Sequence, residues 1–538
     1  MTVASESRGD ALAHSGSARI AAIATAALAV LVFYAGIHWG STVAGGADSY
    51  GYVSQASLWR QGALFIHQDI VRPSPWPLAS ETWAPLGFLP APGSRDAIVP
   101  LYPPGLPMLM AVFQAVGGFC AAFVITPLCG ALTVYLTFLI GMRAFAKPLV
   151  SFAAAALVAA SPIFLYQLMN PMSDVPVTAA WTLAILLAMD RRQLAAGVAA
   201  AVAVLIRPNL APAFAVPCAW LWLVNGRPWR FVAGIVPAIV FVLVLNTKLY
   251  GSPLLSGYGS TGDLYALSFA ATNIRQFSAW MFETQTPFVL LAVVYLILPR
   301  EFVSSRVPHD RWLIGGGMAA VELLYLFYRP FDAWWYLRFL LPMWPLMMIA
   351  CAAAVDALTR RAHRFASPAA LGITVVILGV VGVATAAERL VFDIGRGERR
   401  YVDVARFVAT HTDDRAVMIA LQHTGTLRMY AGRMTLRFDQ LDPAWLDRAV
   451  RFLEQGGRHP YIVLEGDEER LFKQRFADSA IGRLDWNPTA VFERPRITIY
   501  DAVERNASEP LAIAAAASRR AGWRCDPPYA WPPPLRIK

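Results

Sequence analysis

Two aspartates occupy positions where a carboxylate could do acid–base chemistry. Asp48 lies in the stretch Gly45–Tyr52, directly after an apolar run, and Asp174 lies in Asn170–Pro176, between two apolar runs. A carboxylate at the edge of a membrane is costly unless it is solvated, paired or used in function. If both face one compartment, one could take a proton while the other orients an acceptor or a cation. The alternative for each aspartate is a helix N-cap.

Cations and aromatic residues accompany these aspartates. Arg207 ends an apolar run just before Pro208, where an arginine either pairs with a carboxylate, binds an anion such as phosphate, or snorkels to the headgroups. The glycine-rich stretch Tyr250–Asp263 could close over a substrate or simply be flexible. The stretch Tyr328–Arg338 fits either a pocket rim or an aromatic belt. The candidate binding residues are Tyr52, Tyr102, Arg207, Lys248, Tyr258, Arg275, Arg329 and Arg338.

The composition indicates a polytopic membrane protein. Of the 538 residues, 57% are hydrophobic and only 15% are charged, whereas soluble proteins carry roughly a quarter charged residues. The net charge of +10 comes from arginines in short clusters between apolar runs. That pattern is typical of membrane topology, so we expect no nucleic-acid partner. No pair of the five cysteines predicts a structural disulfide or a metal site.

Apolar runs define a membrane region over residues 20–388, preceded by a polar, cytoplasmic N-terminal tail of residues 1–19. The first run, Ile20–Trp39, is long enough to span and is predicted to be a retained signal-anchor. With it, the sequence predicts about eleven transmembrane helices. The further runs are Phe119–Ile140, Leu149–Leu168, Val175–Met189, Leu194–Ile206, Leu210–Leu223, Phe231–Leu245, Thr286–Leu298, Trp312–Tyr328, Phe339–Val355 and Ala369–Ala386.

Charge asymmetry predicts which loops face the cytoplasm. The external side is then expected to hold the loop of residues 41–118, the Asn170–Asp174 loop, Tyr250–Gln285, Arg329–Arg338 and everything after Glu388. This alternation of sides requires that the predicted helix Gly105–Val116 does not cross the membrane but lies flat or half-inserted. Tyr52–Gln61 is predicted to be a second short helix on the membrane surface. The predicted cytoplasmic cations are Arg143, Lys147, Arg191, Arg192, Arg227, Arg230, Arg300, Arg306, Arg311, Arg360, Arg361 and Arg364.

Beyond Glu388 the charge rises and the apolar periods shorten. Alternating short helices and strands predict a small external α/β domain over residues 389–510, followed by an irregular tail at 511–538. The predicted helices are Val402–Thr410, Ala444–Gln455 and Glu468–Phe476. The predicted strands are Ala416–Leu421, Tyr461–Glu465 and Arg496–Val503.

Taken in order, these motifs resemble the GT-C glycosyltransferases, which are integral membrane enzymes. The resemblance is to members like bacterial protein O-mannosyltransferases and lipid A aminoarabinose transferases, including galacturonosyl and mannosyl transferases of the lipopolysaccharide core. Ser49 stands where many relatives place a Glu after the loop aspartate, which leaves Asp48 as the only carboxylate of that motif. The matching stretches are Gly46–Tyr52, Tyr102–Pro107, Met172–Pro176, Arg207–Pro208, Trp335–Pro342, Tyr401–Phe407 and Tyr430–Arg433.

The resemblance implies an inverting transfer of a sugar from a polyprenyl-phosphate donor to an acceptor hydroxyl. The acceptor would be a glycolipid, a polysaccharide or a protein on the extracytoplasmic side of the plasma or inner membrane. Asp48 and Asp174 would be the catalytic residues, and the cations would hold the donor phosphate. No cofactor or metal is expected, although a divalent cation is not excluded.

Other function classes remain open from the residues alone. A secondary transporter would show broken helices in corresponding positions of two halves and ionisable groups at the midplane, whereas these acids gather at one surface. A non-catalytic assembly subunit for cell-envelope glycans would use the C-terminal domain to dock partners. A ligase or polymerase would consume lipid-linked glycans instead of a monosaccharide donor.

Overall fold

The computed structural model describes residues 2–303, 305–307, 309–362, 366–505, 509–513 and 524–529. The chain is mostly helical, and five described helices are long and apolar enough to cross a membrane. Their number rises to seven if each of two bent helix pairs counts as one span. The protein is therefore a multi-pass membrane protein, and the count of about eleven spans stays a prediction.

The first helix leads into a folded loop that packs on the membrane region. This loop carries a three-stranded antiparallel sheet in the order β1-β3-β2, which the sequence did not predict. The two helices predicted in this loop are confirmed as helices, although the first of them begins four residues earlier, at Asp48, and their position flat on the membrane surface stays a prediction. The elements are α1 (Thr2–Trp39), α2 (Asp48–Gln61), β1 (Ile66–His67), α3 (Ala79–Thr82), β2 (Phe88–Pro90), β3 (Ala97–Pro100) and α4 (Gly105–Gly117).

In the described residues, the membrane region continues through thirteen α-helices, several of them short or bent. Glycines permit the closest approach: a Cβ on Gly197 would lie 2.3 Å from the carbonyl oxygen of Phe231, so small residues let two helix backbones touch. The helices are α5 (Ile125–Phe145), α6 (Pro148–Ala159), α7 (Pro162–Leu168), α8 (Asp174–Met189), α9 (Gln193–Ile206), α10 (Ala215–Asn225), α11 (Trp229–Tyr250), α12 (Thr261–Leu264), α13 (Ala270–Gln285), α14 (Leu291–Ile297), α15 (Asp310–Leu326), α16 (Trp344–Ala362) and α17 (Ala366–Glu388).

Two of the described 3₁₀ helices of this region carry residues that lie close to Asp174. Pro208–Phe214 follows α9, and Trp334–Met343 leads into α16. Proline opens the first of them and removes a backbone donor, which favours a break between helices. At the opposite end of α8, Arg143 forms an ion pair with Asp190 at 3.1 Å.

The C-terminal region, residues 389–513, carries a mixed six-stranded sheet in the order β5-β4-β6-β8-β7-β9. All three predicted helices and all three predicted strands are confirmed within a few residues, apart from α18, which starts eight residues early. The elements are α18 (Ile394–His411), β4 (Val417–Ala420), α19 (Thr424–Thr426), β5 (Met434–Arg437), α20 (Leu446–Gln455), β6 (Pro460–Glu465), α21 (Glu468–Arg475), β7 (Ala490–Glu493), β8 (Arg496–Asp501) and β9 (Leu511–Ile513).

Two expectations about the end of the chain are wrong. Cys120 and Cys525 form a disulfide with a Cα–Cα distance of 5.9 Å. The sequence predicted no such pair, because Cys120 lies in an apolar segment and Cys525 stands alone near the end of the chain. Leu511–Ile513, expected in an irregular tail, pairs in parallel with Ala490–Phe492. Residues 514–523 and 530–538 of that tail lie outside the described residues.

Candidate active site

Asp48 is the first residue of α2, and its carboxylate is held by two donors from other parts of the chain. The Tyr102 hydroxyl donates to Asp48 Oδ1 at 2.6 Å, and Arg338 Nη1 donates to Oδ2 at 3.0 Å. The N-cap of α2 is Ala47, and no side chain caps it. The carboxylate does not cap the helix, and with 33% of its side chain exposed it is open to a cavity.

The backbone around α2 brings Tyr102 to Asp48. A Cβ on Gly51 would lie 2.1 Å from the Tyr102 ring, so only glycine lets this ring lie against the helix. The residues that follow, Pro103 and Pro104, end the extended stretch before α4 begins. Burial, together with the nearby charge of Asp48, raises the pKa of Tyr102 well above its usual value. The phenol therefore stays protonated and donates to the carboxylate.

Asp174 is the first residue of α8, and Arg207, which follows α9, donates from Nη2 to its Oδ1. Only 1% of the aspartate side chain and 12% of the arginine side chain are exposed. Ser173, at the N-cap, makes no side-chain capping bond. Of the alternatives considered for these two residues, capping and snorkelling are therefore wrong, and pairing is confirmed.

Shared aromatic neighbours join the two ion pairs. The Tyr52 hydroxyl donates to Ser173 Oγ at 3.0 Å, and the Tyr52 and Tyr102 ring centroids lie 4.5 Å apart. The Phe339 ring centroid lies 5.9 Å from the guanidinium carbon of Arg207 and 5.5 Å from that of Arg338. One aromatic ring thus lies close to both cations.

Both pairs face one cavity of about 380 Å³. Within the described part of the chain, Arg207 Nη1 and Arg338 Nε are buried donors with no hydrogen-bond partner. Buried donors are almost always satisfied. Both unpartnered donors belong to residues of the cavity wall, so they are candidate contacts for an acceptor-rich ligand. The cavity is lined by charged or polar Asp48, Ser173, Asp174, Arg207, Asn209, Asn246, Ser256 and Arg338, by Tyr52, Tyr102, Tyr250, Tyr258, Tyr265, Tyr325, Tyr328 and Tyr336, and by apolar residues that include Val242, Leu245, Phe331 and Phe339.

Three of the expected cations do not reach this cavity. Lys248, Arg275 and Arg329 have exposed side chains and are absent from the cavity wall that the described residues form. The cavity wall instead includes two asparagines, Asn209 and Asn246, which were not predicted as site residues. Asn209 donates from Nδ2 to the Tyr325 hydroxyl at 3.1 Å. Asn209 stands two residues after Arg207, so an arginine–proline–asparagine break in an apolar run was the available signal.

The charged groups of the site pair with each other and do not cluster as metal ligands. Across the described ranges, no three His, Cys, Asp or Glu side chains come together in a way that could hold a metal ion. The cavity wall carries two carboxylates and two guanidinium groups. Its formal charge is therefore balanced, and each buried charge has an opposite partner, as burial requires.

No protein-family model matches the chain, and no curated protein sequence matches it either. Solved structures do match. ArnT from Cupriavidus metallidurans bound to undecaprenyl phosphate superimposes with a TM-score of 0.57 at 12% identity, covering 91% of this chain and 99% of that chain. Its apo state gives a TM-score of 0.56 at 13% identity, covering 89% and 97%. The chain therefore has the GT-C fold of integral membrane glycosyltransferases.

Proposed function

We propose that this protein is a membrane glycosyltransferase that moves a sugar from a polyprenyl-phosphate donor to an acceptor hydroxyl, with inversion at the sugar C1. The fold alone does not decide a function. The support comes from the site, where a carboxylate and two cations with unused donors face one cavity. The fold likeness to a structure that holds undecaprenyl phosphate agrees with such a donor.

The observation that carries the proposal is the pair of buried, unpartnered N–H groups of Arg207 and Arg338. Both guanidinium groups lie beside Phe339, so one ligand can reach them together. Guanidinium donors match phosphate oxygens in geometry and charge. The eight tyrosines of the wall supply ring faces and hydroxyl groups for a sugar and the start of a prenyl chain.

In the proposed reaction, Asp48 takes the proton of the acceptor hydroxyl as the acceptor oxygen forms its bond to the sugar C1. The bond from C1 to the phosphate oxygen breaks, and its electron pair leaves with the polyprenyl phosphate. Arg207 and Arg338 stabilise the charge that develops there. Asp174 holds Arg207 in place. Tyr102 and Arg338 each occupy one lone pair of Asp48, on Oδ1 and Oδ2 respectively, and the remaining lone pairs are left for the acceptor.

We also propose the orientation expected from the charge pattern, with the N-terminus cytoplasmic and the Asp48 loop and C-terminal region extracytoplasmic. The Cys120–Cys525 disulfide supports it, because disulfides persist in oxidising compartments. The membrane region would comprise residues 20–388, and the C-terminal domain would comprise residues 389–513, because Leu511–Ile513 belongs to its sheet. Lys248, Arg275 and Arg329 were expected to help hold the donor phosphate; as substrate-binding residues they would act only outside the cavity.

The test is turnover with candidate polyprenyl-phosphate sugars, read as released polyprenyl phosphate by mass spectrometry. We expect Asp48→Asn to lose at least about a thousandfold in transfer rate, since an amide cannot accept the proton at neutral pH, while it still binds undecaprenyl phosphate. Asp69→Asn is the matched control, because Asp69 is an exposed aspartate of the same loop. If purified Asp48→Asn turned over at the wild-type rate, Asp48 would not be the catalytic base.

A further inference from the structure

The backbone that carries Asp48 is held by the C-terminal region as well as by the membrane helices. The Ala44 N–H donates to the Tyr430 hydroxyl at 2.9 Å. Ala44 is fully buried and Tyr430 is 8% exposed. A buried N–H needs a partner, and this one comes from a residue 386 positions away.

A second contact lies on the other side of Asp48. A Cβ on Gly425 would lie between 2.2 and 2.5 Å from atoms of the Tyr50 ring, and Tyr50 is fully buried in the first turn of α2. No larger side chain fits at position 425 unless this ring moves. The Thr424 hydroxyl accepts a further hydrogen bond from the Leu86 N–H at 3.2 Å, so the residue next to Gly425 also contacts the loop of residues 41–118.

These contacts come from one short helical segment, which we call the π turn (Thr424–Ala431). It begins as α19 and continues over Leu427–Ala431 in π-helical geometry. Short π segments are uncommon and occur frequently at functional sites. Within this segment, Gly425 contacts the chain just after Asp48 and Tyr430 contacts the chain just before it.

Arg428 anchors the π turn to the same loop. Its guanidinium donates to Gln68 Oε1 and to the Trp83 carbonyl, both at 2.6 Å, and to Thr435 Oγ1 at 2.7 Å. Burial lowers the pKa of Arg428 to about 10. A buried cation that is satisfied by neutral oxygens tolerates little displacement, so the π turn and the loop are expected to move as one unit.

We propose that the π turn is a positioning element for Asp48 and that Tyr430 and Gly425 are positioning residues for the transfer step. This inference rests on the proposed catalytic role of Asp48. Tyr430 fixes the backbone four residues before the aspartate, and Gly425 fixes the ring two residues after it. The carboxylate position therefore depends on a region that supplies no residue to the cavity wall among the described residues.

The first measurement does not depend on catalysis. Hydrogen exchange of the peptide covering residues 41–50 is compared between the wild type, Tyr430→Phe and Tyr461→Phe. Tyr461, on β6, is the matched control because its ring packs on His459, away from the π turn. We expect Tyr430→Phe to raise exchange in this peptide at least about tenfold, since the Ala44 N–H loses its buried acceptor, and to leave other peptides unchanged.

The second measurement separates positioning from binding. Tyr430→Phe and Gly425→Ala are expected to lower the transfer rate at saturating donor about tenfold or more, with unchanged affinity for undecaprenyl phosphate, because both proposed phosphate ligands lie in the membrane region. Gly456→Ala is the control, since its Cβ would meet only ordinary contacts at 3.4 Å. A purely structural role would instead weaken binding and turnover together.

The outcomes distinguish this inference from the proposed function. Unchanged exchange and unchanged turnover in Tyr430→Phe, with Asp48→Asn inactive, overturn the positioning role and leave the function standing. Exchange that rises throughout the protein overturns it as well, because it shows general destabilisation. If exchange rises only in the 41–50 peptide while Asp48→Asn keeps full turnover, the Tyr430–Ala44 hydrogen bond is present but Asp48 is not catalytic. That result overturns the proposed function and, with it, the positioning role.

Discussion

The Asp174–Arg207 pair is expected to serve both stability and donor binding, and a double-mutant cycle can separate the two. The side chains are 1% and 12% exposed, so removal of either partner leaves a buried, uncompensated charge. Breaking such a pair costs about 3–5 kcal/mol, whereas replacing both partners by well-packed hydrophobic residues of similar volume is often neutral. Asp174→Leu and Arg207→Met should each destabilise by that amount, and the double variant should recover about 3 kcal/mol or more of the summed loss.

Donor binding should behave differently. A charge-assisted hydrogen bond is worth about 1.5–3 kcal/mol, so the double variant, although stable, should bind undecaprenyl phosphate at least about tenfold more weakly. Thermal unfolding in detergent and ligand titration are the two assays. The exposed pair Arg396–Asp393, with side chains 62% and 45% exposed, is the control, because its loss should cost only about 0–1 kcal/mol. Wild-type affinity in the double variant would make Arg207 a structural residue only.

Two further predictions concern Tyr102 and the disulfide. Tyr102→Phe removes the hydroxyl that donates to Asp48 Oδ1, so the transfer rate at saturating donor should fall about 10- to 100-fold, and an unchanged rate would refute a role for this bond. Cys120→Ser breaks the bond to Cys525 and should lower stability by about 2–5 kcal/mol. Alkylation of unreduced wild-type protein at both cysteines would show that the disulfide does not form.

The main site residues could be predicted because polar groups interrupt apolar runs. A charge at the edge of a membrane must be paired or used, and this reasoning singled out Asp48, Asp174, Arg207 and Arg338, which the structure brings to one cavity. Long apolar runs could be predicted to be helical, because a segment in lipid must satisfy its own backbone hydrogen bonds. Both predictions rest on the cost of polarity in lipid, which acts locally along the sequence.

Pairing over long distances could not be predicted in the same way. Asp48 meets Arg338 across 290 residues, and nothing in either motif specifies its partner. Lys248 failed as a cavity residue because it lies on the exposed face of α11, whereas Asn246 lines the cavity. A shift of two positions along a helix turns a side chain to a different face. Because an apolar run is hydrophobic all round, its sequence does not show which face packs against the rest of the protein.

The position of Arg338 gives the proposed reaction a further electrostatic property. A polyprenyl-phosphate sugar is a diester with one negative charge, and the leaving polyprenyl phosphate gains another. In the same step Asp48 loses its charge by taking the acceptor proton. Negative charge thus moves from the carboxylate to the phosphate while the total charge in the cavity stays constant. Because Arg338 contacts Asp48 and also has an unused, buried N–H, one fixed cation can stabilise the charge before and after transfer, with little reorganisation.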